Sequence, residues 1–433
     1  MGLPLACVFA ERGAQVAVCD VNPALVERID AGECPYEEPG LPELMQQVYQ
    51  AGRLRATTDT AEATASSETI VVIVPAHLTP DKDIDYRILR SASVDVGRGL
   101  REGSLVSYET TVSVGGTRNN LIPILEEYSG LTAGRDFHVC FSPERVKANL
   151  VLARLKDTPK VTGGIDEVSC RKAVEFYSEY LGAPVNDVGP LEAAEFTKLA
   201  GMLFRDVNIA LVNELAAFSE AAGIDFDRVR RAANENGEAG LLIPGIGVGG
   251  HCTPVYPYFM TKESRRWGIT QRLAEAAREI NDRQPGRCVD RLADSWRVLR
   301  GRRVHILGLA FRPGVKVDTF SPAFSLRDEL DKHQAAVTLE DPYYSDEEIR
   351  AAGFTPARVG HDRTEAVILN TAHPEFADPD FRRWASSGVE AVVDGRSFWD
   401  PDAVEGAGLV YLAVGQRACG PISGNNGARR KSP

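Results

Sequence analysis

The spacing of apolar positions changes twice along the chain, and the changes divide it into three parts. In the first part, short apolar runs alternate with helical stretches. Residues 15–20 (QVAVCD) end in an acid, 69–74 (TIVVIV) are β-branched and stopped by Pro75, and 104–108 (SLVSY) form a third run. Between them, 3–12 read as a helix, as do 42–51, where Pro42 suits a first helical turn. From Pro190 to Asn236 strand-like runs give way to helical spacing, and a long helix over 192–222 stops at Gly223, a plausible C-cap. A glycine-rich loop follows, PGIGVGGHCTPVYP over 244–257. Helical patterning then continues to Asn281, with Pro285-Gly286 as punctuation. The last part alternates again, with strands expected at 303–307 (RVHIL), 336–339 (AVTL), 366–369 (AVIL) and 391–393 (AVV). Alternation of this kind predicts doubly wound parallel sheets. The chain therefore reads as α/β, with two doubly wound domains, 1–188 and 299–416, joined by a central helical domain, 189–298. The Gly/Ser/Asn-rich basic tail, 417–433, is expected to be disordered.

Charge narrows the function. A net charge of -12 argues against a general nucleic-acid binder, yet a few local Arg, Lys and backbone N–H groups suffice to hold a small anionic ligand. No apolar run approaches the roughly 20 residues of a membrane helix. The opening MGLPLACVFAERG has no basic leader or small-residue cleavage site, and Ala6 breaks the myristoylation pattern. The 8 cysteines are scattered without a CxxC pair, which argues against a metal cluster or a disulfide framework and favours a reduced, cytoplasmic setting.

Dinucleotide-binding domains open with a strand, GxGxxG and a helix, with an acid about 20 residues on for the ribose hydroxyls. Here Gly2 reads as the last glycine and Asp20 as the acid; the opening strand and first two glycines are missing. A helix-packing glycine and a surface turn acid explain the same two residues equally well. We expect the true start to lie upstream of Met1. The sharper signal is Cys252, which follows two glycines and a histidine and is bracketed by prolines. An ordinary thiol in a flexible loop is the competing account. Lys198 (EFTKLAG) adds weight, since a lysine beside a thiol lowers its pKa and stabilises an oxyanion.

Several stretches together carry a resemblance: GLPLACVFAERG with Asp20, YEEPGL, YETTVSVGGT, FSPERV, EFTKLAGMLFRDVNIALVNE, PGIGVGGHC, ILGLAFRPGVK, LEDPY and VVDGR. In this order they resemble the UDP-glucose/GDP-mannose dehydrogenase family, most closely its UDP-N-acetylhexosamine branch. The resemblance implies a Rossmann-like NAD-binding domain, a central helical dimerisation domain and a Rossmann-like UDP-sugar-binding domain. It implies NAD-dependent four-electron oxidation of a nucleotide sugar at C6, through a thiohemiacetal and a thioester on Cys252. A thiol suits this work because it is nucleophilic near neutral pH and its adduct still carries a transferable hydride. Lys198 would steady the oxyanion, Glu144 would serve as base for thioester hydrolysis, and Thr111 would hold the water. Gly2, Asp20, Val74, Thr111 and Glu144 would contact NAD; Lys198, Arg205, Asn208, Gly249 and Arg312 would contact the sugar nucleotide. Arg205 and Asn208 sit at helical spacing that also suits a structural role. The implied partners are a UDP-linked sugar and a second copy of the chain, with no metal, nucleic acid or membrane.

Four positions depart from the family pattern. Tyr256 stands for an Asp four residues after the cysteine, and Met202 for an Asn one turn after the lysine. Ala76 lacks a hydroxyl expected near the cofactor, and Thr319 replaces a common Arg. Altered chemistry that stops after two electrons, or a catalytically silent homologue, are the readings these departures leave open.

Overall fold

The computed structural model describes residues 1–146, 149–296 and 298–416, so the expectation for the 417–433 tail lies outside the described residues. The chain forms two compact units: Met1–Met202 with Tyr258–Thr270, and Leu203–Pro257 with the chain from Gln271 on.

In the first unit, helix Gly2–Glu11 has Leu3 to Ala10 buried, as expected of a helix that is apolar on every side. It shares one core with Val16, Val18, Val71 and Ile73. Gly2 lies so close that a Cβ there would sit 3.2 Å from Ile73. Strands Val16–Cys19 and Leu54–Thr57 pair in parallel as a two-stranded ladder. A five-stranded sheet runs in the order Thr69–Val72, Leu105–Tyr108, His138–Phe141, Lys160–Gly164, Val185–Pro190. The expectation of a wholly parallel sheet needs one correction. His138–Phe141 and Lys160–Gly164 are antiparallel, with Cys140 opposite Gly164 and Phe141 opposite Gly163. Among the described residues, the 18-residue span between them contains one short helix, Val151–Asp157, and does not carry the chain back across the sheet as a βαβ crossover would.

In the second unit a six-stranded parallel sheet runs Thr355–Pro356, Ala336–Glu340, Arg303–Leu307, Ala366–Leu369, Ala391–Asp394, Val410–Ala413. Its last three strands are buried throughout; the sequence reading found the first two as apolar runs and missed Val410–Ala413. Strand order reverses between Arg303–Leu307 and Ala366–Leu369, the topological switch point where open α/β sheets bind ligands.

Helix Leu191–Ala222 has 32 residues, about 48 Å at 1.5 Å per residue, and Gly223 ends it at φ 72°. Pro285 was expected to break the next helical stretch. Instead helix Arg272–Trp296 runs through it. An interior proline costs about 3 kcal/mol. Here Pro285, Cys288, Val289 and Leu292 form a buried stripe, and the proline ring lies 3.2 Å from where a Cβ on Gly247 would be. Burial of that stripe offsets the lost hydrogen bond. Among the described residues no helix is long and apolar enough to cross a membrane.

Candidate active site

Each unit assembles one constellation. In the first, parallel neighbours Leu105–Tyr108 and His138–Phe141 end at the same edge and deliver Glu109-Thr110-Thr111 and Ser142-Pro143-Glu144. Thr110 Oγ1 donates to the Val74 carbonyl at 2.5 Å, tying in the end of Thr69–Val72. Thr111 is buried beside it in sequence.

The Glu144 carboxylate is held on both oxygens. Oε1 accepts the N–H groups of Arg145 (2.6 Å) and Val146 (2.9 Å); Oε2 faces Lys160 Nζ at 3.2 Å. Lys198, on the long helix and 7% exposed, donates to the Glu144 carbonyl at 2.6 Å. Two residues expected in the site are thus together. Behind them is a group that sequence reasoning missed. Lys160 Nζ also bonds Glu109 Oε2 at 2.7 Å, Glu109 Oε1 accepts from Tyr177 at 2.6 Å, and the Tyr177 hydroxyl meets Ser107 at 2.7 Å.

One buried ammonium therefore serves two carboxylates. Burial pushes the Glu109 carboxyl above its ordinary range despite Lys160. Burial acts on Glu144 too, but Lys160 and the two backbone N–H groups outweigh it and the carboxyl lies below the usual range. Burial lowers Lys160, and the two carboxylates more than restore it. A lysine is almost never buried unless paired, so its place at the start of strand Lys160–Gly164 gave no hint of this role. Nearby, Glu195 accepts from Gly115 N at 2.5 Å and Thr117 N at 2.9 Å, and burial lifts its carboxyl to about 7 against those bonds.

At the other edge of this unit, Gly2 opens a helix whose N-terminus has no side-chain cap, and Asp20 follows strand Val16–Cys19, accepting from Asn22 N at 2.9 Å. An uncapped helix start where a Cβ would press on Ile73, with an acid at a strand end, fits the phosphate and ribose of a dinucleotide.

In the second unit the glycine-rich loop is fixed at several points. Gly245 N donates to Asn213 Oδ1 (3.0 Å), Ile246 N to the Gly395 carbonyl (2.9 Å) and Gly250 N to the Thr319 carbonyl (2.8 Å). Gly250 has φ 92°, and a Cβ there would stand 2.8 Å from the Phe311 ring; at Gly249 it would be 2.5 Å from Phe311. Glycine is required at both. Half-buried Cys252 follows, and its carbonyl accepts from Val255 N (3.2 Å) and Tyr256 N (2.9 Å), so the thiol residue starts the turn into helix Tyr256–Arg266.

Phe311 and Thr319 belong to the loop after strand Arg303–Leu307, which also carries half-buried Arg312. Asp341 organises that loop. Its Oδ2 accepts from Leu309 N (2.7 Å), Ala310 N (3.0 Å) and His373 Nε2 (3.2 Å). His373 Nδ1 in turn accepts from Gly314 N at 3.3 Å, which assigns the ring proton to Nε2. Asn208 uses both ends of its amide on the chain before the loop, donating to the Gly240 carbonyl (2.7 Å) and accepting from Leu242 N (3.0 Å). Arg205 is exposed on the same helix. Asn213, Asp341 and His373 were not singled out from sequence, although Asp341 stands in the LEDPY stretch.

Two nucleotide-binding-type sheets, one with an acid at a strand end and a buried Lys–Glu cluster, the other with a glycine-mounted thiol, define the class: a dehydrogenase that works on a nucleotide-linked substrate. The chain belongs to the UDP-glucose/GDP-mannose dehydrogenase family. Its NAD binding domain model matches residues 1–181, its central domain 192–283 and its UDP binding domain 305–401. It is an NAD-dependent oxidoreductase. The chain is 30% identical to the UDP-N-acetyl-D-glucosamine 6-dehydrogenase of Pseudomonas aeruginosa, over 87% of this chain and 89% of that one. It is 28% identical to the UDP-N-acetyl-D-mannosamine dehydrogenase of Pyrococcus horikoshii, over 96% and 97%. A UDP-glucose dehydrogenase structure from Pyrobaculum islandicum superposes with a TM-score of 0.86 at 29% identity, covering 96% of this chain and 95% of that one.

Proposed function

We propose that the chain oxidises a UDP-N-acetylhexosamine at C6 to the uronic acid in four electrons, with Cys252 as the covalent nucleophile. One observation carries the reading: the loop bearing Cys252 is bonded to, and packed on, the loop that leaves the switch point of the UDP-binding sheet. A nucleotide lodged at that switch point and a thiol mounted on its rim serve one ligand. The names of the two relatives support an N-acetylhexosamine.

Bound NAD supplies the hydride acceptor, two equivalents per sugar. The alcohol becomes an aldehyde, and the Cys252 thiolate adds to its carbon to give a thiohemiacetal. Loss of the second hydride leaves a thioester, which water cleaves to release the carboxylate and regenerate the thiol. The net change is one alcohol, two NAD+ and one water to one carboxylate, two NADH and three protons. Lys198 steadies the alkoxide and oxyanion. Glu144 takes the proton from the hydrolytic water, and Thr111 holds that water. Gly2, Asp20, Val74, Thr111 and Glu144 form the NAD contacts. Arg312, Gly249, Lys198 and Arg205 contact the sugar nucleotide, and Asn208 acts by shaping the loop that its amide holds.

The protein acts in the cytoplasm as a homodimer. Phe204, Leu211 and Phe218 support the dimer: seven residues apart on the long helix, they are 67%, 45% and 67% exposed. All seven described cysteines are free, which supports a reducing compartment.

NADH yield per sugar tests the function. Two NADH from UDP-N-acetylglucosamine or UDP-N-acetylmannosamine, with UDP-glucose as comparison and loss in Cys252→Ala, is the expected result. One NADH per sugar would establish the two-electron reading, which Tyr256 favours by standing one turn after Cys252 where the family has an acid.

A further inference from the structure

The first unit holds a charged cluster larger than the reaction requires. Of its three charged members, the side chains of Glu109 and Lys160 are 0% and 5% exposed, and only Glu144 shows an edge, at 12%. Glu109 and Lys160 are therefore shut off from substrate, and Glu144 is the member that meets it. A lysine serving only to neutralise Glu109 would have no reason to reach a second carboxylate. Lys160 Nζ lies 2.7 Å from Glu109 and 3.2 Å from Glu144, with the Tyr177 ring centroid 5.1 Å away. Since backbone N–H groups occupy Oε1 of Glu144, the ammonium is what fixes Oε2 and hence the plane of the carboxylate.

We propose that Lys160 is a positioning residue: its ammonium, anchored from behind by Glu109 and Tyr177, orients the Glu144 carboxylate and keeps it ionised. The proposal rests on Glu144 acting as the base of thioester hydrolysis. Lys160 does not act alone on that carboxylate. Glu109 faces it from the end of strand Leu105–Tyr108, Arg145 adjoins it, and Lys198 binds its backbone from the long helix. Of these, Glu109 shares the ammonium but is already neutral where Glu144 titrates, because its carboxyl lies above the ordinary range and that of Glu144 below it. Removing the ammonium therefore raises the Glu144 midpoint, and making position 109 permanently neutral leaves it in place.

The test is titration of the Glu144 side-chain carbon by NMR on protein labelled with carboxyl-13C glutamate, the signal being assigned by its loss in Glu144→Gln. Lys160→Met is expected to raise the midpoint by about one pH unit or more, Lys160→Arg to restore most of it, and Glu109→Gln to leave it unmoved. If Lys160→Met does not fold, Lys160→Gln carries the test, because it removes the charge and keeps a polar end. An unmoved midpoint in the charge-removing variant overturns the role of Lys160. The parent reading fails separately: a Glu144→Gln enzyme that gives wild-type NADH yield and rate removes Glu144 as base, whatever the titration shows. A Glu144→Gln enzyme that stalls as the acyl-enzyme, together with a raised midpoint in Lys160→Met and an unmoved one in Glu109→Gln, supports both.

Discussion

The position of Cys252 depends on neighbours with no reactive group. Gly249 and Gly250 lie against Phe311, and Gly250 adopts a left-handed φ of 92°. A methyl group at Gly250 would meet both a ring at 2.8 Å and an unfavourable backbone conformation. Gly250→Ala should cost on the order of 1–3 kcal/mol in urea unfolding. It should also lower thiol-dependent turnover more than NAD binding, because the loop holds the cysteine. At this scale the sequence was informative where chemistry leaves a motif. Cys252, Lys198 and Glu144 stood out by their surroundings, whereas Lys160 and Tyr177 did not. Both are drawn into the site by pairing across strands and helices, and pairing of that kind has no local signature. Asn208 was noticed, but the work of its amide, holding Gly240 and Leu242, depends on a loop 32 to 34 residues away.

Among the elements, some buried strands were legible from the sequence, while Val410–Ala413, equally buried, was missed. Strands Arg303–Leu307 and Ala366–Leu369 begin and end where the pattern puts them. Lys160–Gly164 and Val185–Pro190 were missed because glycines, a lysine and an aspartate dilute their apolar character. The proline in helix Arg272–Trp296 misled in the opposite direction, since tertiary burial outweighed a local breaker. Helix Leu191–Ala222 also clamps a loop through Glu195, and this gives the structure a pH dependence. The buried carboxyl has a folded value of about 7 against an ordinary 4.5. A raised carboxyl pKa means that the unfolded chain ionises first, so stability is complete below about 4.5 and declines as pH rises through about 7. Glu195→Gln does not ionise. The stability of wild type relative to Glu195→Gln should therefore fall by on the order of 3 kcal/mol between pH 4 and pH 8.5. A difference that stays constant in urea melts across that range would refute the assignment.

For the whole molecule, the alternation of α/β, helical and α/β segments was readable because strand and helix periodicities differ. The antiparallel pair in the first sheet was not, as strand direction leaves no trace in composition. The proposed dimer is tested at this scale. Phe204→Glu with Phe218→Glu places two charges on the exposed stripe of the long helix. Sedimentation velocity should then show monomer in place of dimer, with circular dichroism unchanged. A double variant that still sediments as a dimer would move the interface elsewhere.

The same helix begins in one compact unit and ends in the other, and the chain later sends Tyr258–Thr270 back to the first. The chain passes between the units three times, at 202/203, 257/258 and 270/271. No single cut in the gene yields either unit whole: a fragment ending at Met202 lacks a piece that begins after a further 55 residues, and the complementary fragment carries that piece unhoused. A chain built this way cannot readily trade one compact unit for another by simple fusion. Specificity for a new sugar has to be acquired by substitution within an uncut chain, which favours drift at positions such as Tyr256 and Met202 over the shuffling of modules.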